Sequence, residues 1–345
     1  MDNQSTLLEV KDLKTHFFLD EGLVRAVDGV SFTIQRGKTL GVVGESGCGK
    51  SITARSILRM VRPPGQIVSG EIIYHRRTNG SAQTELLDLT KLDPTGPEIR
   101  AIRWKNIAMI FQEPMTSLSP VHTIGDQIIE AIVTHLDVGK KEARDRAIEM
   151  LRRVGMPQPT KILERYRHQL SGGMRQRAMI AMALVCNPEL LIADEPTTAL
   201  DVTTQAQILE LMKGLQEDFH MAIMFITHDL GVIAEMADEV VVMYLGKEVE
   251  LADVDTIFYN PGHPYTKALL RSIPRIDEEV DKLEVIKGTV PDPYSIPAGC
   301  AFHPRCPYYV PEKCASPEFV KVGSHHWARC ARVAEINGSF AHMRQ

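Results

Sequence analysis

The sequence predicts an α/β core with an inserted helical lobe and a small, loop-rich C-terminal extension. Three observations predict it. Short, wholly apolar runs of strand length (Leu40–Val43, Leu190–Ala193, Met221–Ile226) are each followed by a turn and a helix-patterned stretch. From about Thr123 to Gly155 the apolar spacing is helical instead, with Ile124, Ile128, Ile129 and Ile132, then Ala143, Ala147, Met150, Leu151 and Val154, and a helical lobe is expected over about 115–185. Helix-rich sequence interrupting strands reads as a separate lobe within an α/β core. From about Val254 the chain turns proline-rich, with Pro291, Pro293, Pro297, Pro304, Pro307 and Pro311.

Taken in order, residues 7–35 read as strands: Leu7, Val10 and Leu13 lead to Phe17, and Val30, Phe32 and Ile34 alternate with polar partners. The run Leu40, Val42, Val43 then enters Gly44-Glu45-Ser46-Gly47-Cys48-Gly49-Lys50-Ser51, and Ile52 continues into a helix-compatible stretch. Strand, Gly-rich turn and helix start is the context that makes G-x-x-x-x-G-K-S a P-loop. Its backbone N–H groups and helix dipole suit an anion. Lys50 is placed for the β/γ-phosphates and Ser51 for Mg²⁺. Cys48, at the dipole's positive end, is expected to be a reactive thiol of lowered pKa. An aromatic about two dozen residues upstream, Phe17 or Phe18, is placed to stack on adenine or to serve the core.

A polar stretch from Arg76 to Thr84 reads as a hairpin tip or a surface insertion. Ile107–Phe111 is a short strand ending at Gln112-Glu113-Pro114. Leu170-Ser171-Gly172-Gly173-Met174-Arg175-Gln176 opens an apolar helix, whose start is a second anion site. Leu190–Asp194-Glu195 is a buried strand with two carboxylates at its end. Ala199-Leu200-Asp201 and an amphipathic helix follow, and the next strand ends at Thr227-His228. Val240–Tyr244 and Glu248–Leu251 read as a closing hairpin around Gly246. A short helix is expected over Lys267 to Ile273.

Composition bounds the rest. The 345 residues suffice for a large domain plus an appendage, and a net charge of −5 argues against a nucleic-acid partner. The longest apolar run, Ala178–Cys186, is far short of the roughly 18 residues of a membrane span. The N-terminus lacks the pattern of a signal peptide, so a cytosolic setting is expected, in which six cysteines do not form a disulfide framework. Four of them, Cys300, Cys306, Cys314 and Cys330, are separated by five, seven and fifteen residues with no C-x-x-C pair. Zinc fits that spacing poorly; four thiolates from a Pro-rich loop could instead hold a 4Fe–4S cluster, His303 or the His325-His326 pair could substitute for a thiolate, and unligated thiols stay open. Residues 291–330 hold too few apolar side chains for a core of their own, so they are expected to pack on the first domain or be held by a metal.

The ordered set of P-loop, Gln112, LSGGMRQ, Asp194-Glu195, Asp201 and His228 resembles the ATP-binding cassette (ABC) ATPases over about residues 7–251. The resemblance implies a core over 1–253, with ATP and Mg²⁺ bound. Asp194 would reach Mg²⁺ through water, Ser51 directly, and Gln112 would sense it. Glu195 would be general base and His228 would contact the γ-phosphate and orient Glu195. Ser171, Gly172 and Gly173 would close on ATP held by a second ATPase subunit, with Asp201 at the seam. A DNA-repair relative would carry a long coiled coil where only about 118 residues separate Lys50 from Leu170, and a translation-type relative would carry two cassettes. A non-hydrolysing binder would lack Glu195 or His228.

His263-Pro264-Tyr265-Thr266 and the cysteine-bearing end, over 254–345, resemble the extension of dipeptide/oligopeptide importer ATPases. That likeness implies a peripheral subunit on the cytoplasmic face of the membrane. Its partners would be a second ATPase, two permeases and, indirectly, an external binding protein. Importers of nickel or other small solutes carry similar tails. Some peptide-importer relatives hold a 4Fe–4S cluster at matching cysteines. Replacing Cys306 by serine is expected to change ATP affinity at Lys50 little, since that site is built by the first domain.

Overall fold

The computed structural model describes residues 5–77, 84–112, 117–198, 200–272 and 286–336. The chain forms two compact units. One combines the N-terminal residues up to Leu7 with Ile34–Thr39 and Lys91–Ile226; the other combines Leu8–Thr33, Leu40–Thr90 and the chain from Thr227 onward.

The second unit begins with β1 (Thr6–Leu19) and β2 (Gly22–Gln35), whose alternating Leu8, Val10, Leu13, Val27, Val30 and Phe32 are buried. The all-buried strand β3 (Thr39–Val43) leads through the Gly-rich turn into helix α1 (Lys50–Ile57). Next come β4 (Gly65–Arg77) and β5 (Thr84–Asp88), and these strands form a sheet of order β2-β1-β4-β5. Arg77 pairs with Thr84, so the expected hairpin is present, while its tip at 78–83 lies outside the described residues.

The first unit is built on β6 (Ile107–Ile110), followed by the helical lobe. That lobe holds α2 (Ile124–His135), α3 (Lys140–Arg153) and α4 (Gly172–Leu184). Thr123 starts α2 with a capping box: its side chain takes the Asp126 N–H, and Asp126 takes the Thr123 N–H. The buried stripe Ile124, Ile128, Ile132 packs α2 on α3, whose inner face is Ala143, Ala147 and Leu151. The chain then adds β7 (Leu190–Asp194), α5 (Val202–Phe219) and β8 (Ala222–Ile226). Strand β7 pairs parallel with both β6 and β8, and every residue of the three is buried. Apolar runs without alternation are what a parallel sheet covered on both faces requires.

The chain returns to the second unit with α6 (Leu230–Met236), β9 (Glu239–Tyr244) and β10 (Lys247–Asp253). Strand β9 runs parallel to β3 and turns back at Gly246, φ 80°, to pair antiparallel with β10. Helix α7 (Pro264–Arg271) stands where the short helix is expected; Ile273, its expected end, lies outside the described residues. The tail then supplies β11 (Val320–Gly323) and β12 (His326–Ala328), and β12 pairs with β10. It therefore packs on the hairpin and shares its core. Phe302, 1% exposed, sits 5.3 Å from the Tyr244 ring and 5.4 Å from the Tyr265 ring.

Charge is buried in that junction. Glu250 accepts from the N–H groups of Gly262 and His263 and from His326 Nε2, the last at 2.7 Å. Glu248 Oε1 accepts from Arg329 Nη2 at 2.7 Å, while its Oε2 finds no partner among the described residues. Burial pushes the Glu248 carboxyl up to about 7, against the pull of Arg329 and Lys247. A carboxyl whose folded pKa is raised contributes stability that is complete at low pH and lost as pH rises through the folded value. Wild-type protein is thus expected to lose stability between about pH 5 and pH 8, and Glu248→Gln to flatten that slope. Urea midpoints at the two pH values measure it; identical slopes in both proteins would contradict the assignment.

Candidate functional site

The P-loop forms because two of its glycines abut main chain. A Cβ on Gly44, φ 152°, would stand 2.2 Å from the Met243 carbonyl oxygen. One on Gly49, φ 105°, would stand 2.2 Å from that of Ala26. Gly47, φ 80°, has open space around it and needs only the backbone freedom. The turn is tied from behind by Gly246 N–H, which donates to the Cys48 carbonyl at 2.9 Å. Ser46 and Gly47 are exposed at its crest, and Ser51 and Ile52 are half-buried at the start of α1. Lys50 Nζ folds back onto the loop, donating to the carbonyls of Gly44 at 2.7 Å and Glu45 at 3.2 Å.

Cys48 corrects an expectation. Its side chain is buried at 3% exposure and fills the space beside Gly44, and burial raises its pKa. Desolvation outweighs the pull of Lys50, so the thiol pKa is raised and not lowered as expected. Cys186, expected to be core, is buried and its thiol is pushed up to about 11. Phe17 lies opposite Gly65 on the β1/β4 pair, its ring 2.6 Å from where a Gly65 Cβ would stand, while Phe18 is half-exposed.

The first unit gathers the carboxylate end. Asp194, 2% exposed, closes β7, and Glu195 follows with φ 48°, a strained left-handed conformation for this residue type. The Glu195 N–H is held by the Ile226 carbonyl. Gln112 Nε2 and Thr198 Oγ1 both donate to Glu195 Oε2 at 3.0 Å, which fixes the carboxylate. Ser171 caps α4 by accepting from Met174 N–H, and Asp201 caps α5 by accepting from the Thr204 N–H and hydroxyl. Those hydrogen bonds hold the Asp201 carboxyl below its ordinary pKa. A Cβ on Gly173 would meet Thr204 Cγ2 at 2.8 Å, and Leu200 is the nearest side chain to Gly172. The two capped helix starts therefore adjoin. Glu113, Pro114 and Ala199 lie outside the described residues. In the second unit, His228 is exposed just after Thr227.

Cys300, Cys306, Cys314 and Cys330, spread along the tail, all line one cavity with Phe302, and none is in a disulfide. Burial raises three of these thiols, Cys306 and Cys330 to about 11. Among the described residues no three His, Cys, Asp or Glu side chains are grouped to hold a metal ion.

A family model described as "ABC transporter" matches residues 27–198, from β2 through the P-loop, Gln112, the α4 start and Glu195. A second, "Oligopeptide/dipeptide transporter, C-terminal region", matches 249–314. The chain is 56% identical to the oligopeptide transport ATP-binding protein AppD of Bacillus subtilis, over 88% of this chain and 89% of that one. The chain belongs to the ABC transporter family. It is also 45% identical to the dipeptide transport ATP-binding protein DppD of Escherichia coli, over 90% of this chain and 91% of that one. Among solved structures, the dimeric bacterial ABC transporter cassette MJ0796 matches with a TM-score of 0.61 at 26% identity, over 72% of this chain and 99% of that chain. The same cassette bound to ADP and phosphate matches with a TM-score of 0.61.

As an ABC ATPase, the protein carries the full set of motif residues, and sequence reasoning missed three side chains that hold them. Thr198 supports Glu195; a hydroxyl three residues on, in the turn after a strand-end carboxylate, was the available signal. Tyr265 Oη accepts the Glu45 N–H at 2.9 Å, and Arg305 pairs with the Glu45 carboxylate. Both belong to the extension, so side chains from beyond the ABC core contact the P-loop turn. Among the described residues, no helix is long and apolar enough to cross a membrane.

Proposed function

We propose that this protein is the ATP-hydrolysing subunit of a dipeptide/oligopeptide importer. The observation that carries the reading is the joint presence of the ABC core and the oligopeptide/dipeptide-type extension in one chain, as in relatives named for peptide transport. The functional boundary is placed at about residue 253. The partners proposed are a second ATPase subunit, two membrane permeases on whose cytoplasmic side the protein docks, and an external binding protein that delivers the peptide.

The chemistry follows from residue types. Lys50 neutralises the β/γ-phosphates, and the P-loop N–H groups from Gly44 to Ser51 cradle them. Mg²⁺, when bound, would be held by Ser51 and, through water, Asp194, and would neutralise phosphate charge. Glu195 takes the proton of the attacking water, and Gln112 and Thr198 aim its carboxylate. His228 contacts the γ-phosphate, and Phe17 stacks on adenine. Ser171, Gly172 and Gly173 close on a partner subunit's nucleotide with Asp201 at the seam; that the similar solved cassette is dimeric supports a second subunit.

We further assign a 4Fe–4S cluster to Cys300, Cys306, Cys314 and Cys330, which would supply a structural staple. Four thiols on one cavity fit the donor set of such a cluster.

Two measurements check these readings. Glu195→Gln is expected to keep ATP binding while turnover falls by roughly 10²–10⁴-fold, and Lys50→Ala to lose nucleotide affinity. Phosphate release near the wild-type rate from Glu195→Gln would overturn its role as base. Protein purified without oxygen is expected to be brown, with iron and labile sulfide in comparable amounts, and Cys306→Ser colourless. Colourless wild-type protein, with zinc or without metal, would refute the cluster.

A further inference from the structure

Glu45 occupies a position of the P-loop motif that accepts any residue, yet all its polar atoms are engaged. Its N–H donates to Tyr265 Oη at 2.9 Å, and its carbonyl accepts from Lys50 Nζ at 3.2 Å. Its carboxylate takes a two-pronged contact from Arg305: Nη1 to Oε2 at 2.6 Å and Nη2 to Oε1 at 3.0 Å. Such a fork sets orientation as well as distance.

Arg305 is not a surface cation. Its side chain is 4% exposed, and Nε donates to the Lys287 carbonyl at 3.3 Å. Its guanidinium lies 5.9 Å from the ring centres of both Tyr244 and Phe302. A guanidinium enclosed in this way keeps a single pose. Tyr265 is fully buried against Phe302 and Tyr244. The tail thus presents two immobilised polar groups to one residue of the loop.

Charge gives the contact a second effect. A free carboxylate at Glu45 would stand in the loop that must receive several phosphate charges, and like charges at that range repel. Arg305 neutralises the carboxylate and holds it in place.

We propose that Arg305 and Tyr265 are positioning residues for nucleotide binding, through which the C-terminal extension sets the affinity of the P-loop for ATP. The inference rests on Lys50 and Ser51 being the phosphate-binding residues. It predicts that damage to the tail weakens nucleotide binding without touching any residue that contacts nucleotide.

The test is a double-mutant cycle on the full-length chain, read as the Kd for the magnesium complex of adenylyl imidodiphosphate. Arg305→Gln is expected to raise Kd about tenfold and Glu45→Gln by a smaller factor. Adding Arg305→Gln to Glu45→Gln is expected to cost less than about a further twofold, because the two side chains act as a unit. A general structural defect would instead give the full Arg305→Gln effect in either background, and that result overturns the proposal. Should Arg305→Gln fail to fold, Tyr265→Phe carries the test, since it keeps the ring packing and removes only the hydroxyl. A rise of about threefold there supports the brace. Wild-type affinity from both Tyr265→Phe and Glu45→Gln overturns it. Wild-type protein that binds no nucleotide would overturn the assignment of Lys50 and Ser51, and this inference with it.

Discussion

The second unit depends on how closely the P-loop backbone approaches its neighbours. Gly44 lies against the end of β9 and Gly49 against β2, each within a distance no side chain tolerates. That closeness bends the chain so that α1 begins at Lys50 directly after the turn. Packing density then propagates the requirement. Gly41 is crowded by Ile233 and Ala237, so β3 can lie flush against the α6 region, and the Cys48 side chain fills the space beside Gly44.

The same unit shows why an appended tail can matter to a site made elsewhere in the sequence. The hairpin β9/β10 supports the P-loop through Met243 and Gly246 on one side and receives the tail through Glu248 and Glu250 on the other. Tyr244 joins the two roles, since its ring packs on Phe302 and Tyr265. An extension poor in apolar residues is docked by a few aromatic rings and by carboxylates buried with their partners. Removing one partner of such a pair leaves a charge that the interior cannot solvate.

Much of this was legible in the sequence, for local reasons. The Gly-rich turn between an apolar run and a helix, the carboxylates closing an apolar strand, and Ser171 and Asp201 before helical patterns are all short-range signals. What escaped was long-range. The fate of Cys48 turned on burial, which its neighbours in sequence do not report. The partners of Glu45 lie 220 and 260 residues away, at Tyr265 and Arg305, beyond the reach of any local pattern. Strands β11 and β12 are four and three residues long, too short to carry a period, and exist because β10 offers an edge.

The central claim is that ATP hydrolysis by this protein powers peptide import. It is tested most directly in proteoliposomes holding the complete transporter, with binding protein and radiolabelled peptide on the binding-protein side and MgATP on the other. The account predicts peptide accumulation that requires MgATP and vanishes when Glu195→Gln replaces the wild-type subunit. Peptide accumulation at the same rate without ATP, or ATP-driven uptake of nickel but not of peptide, would contradict it.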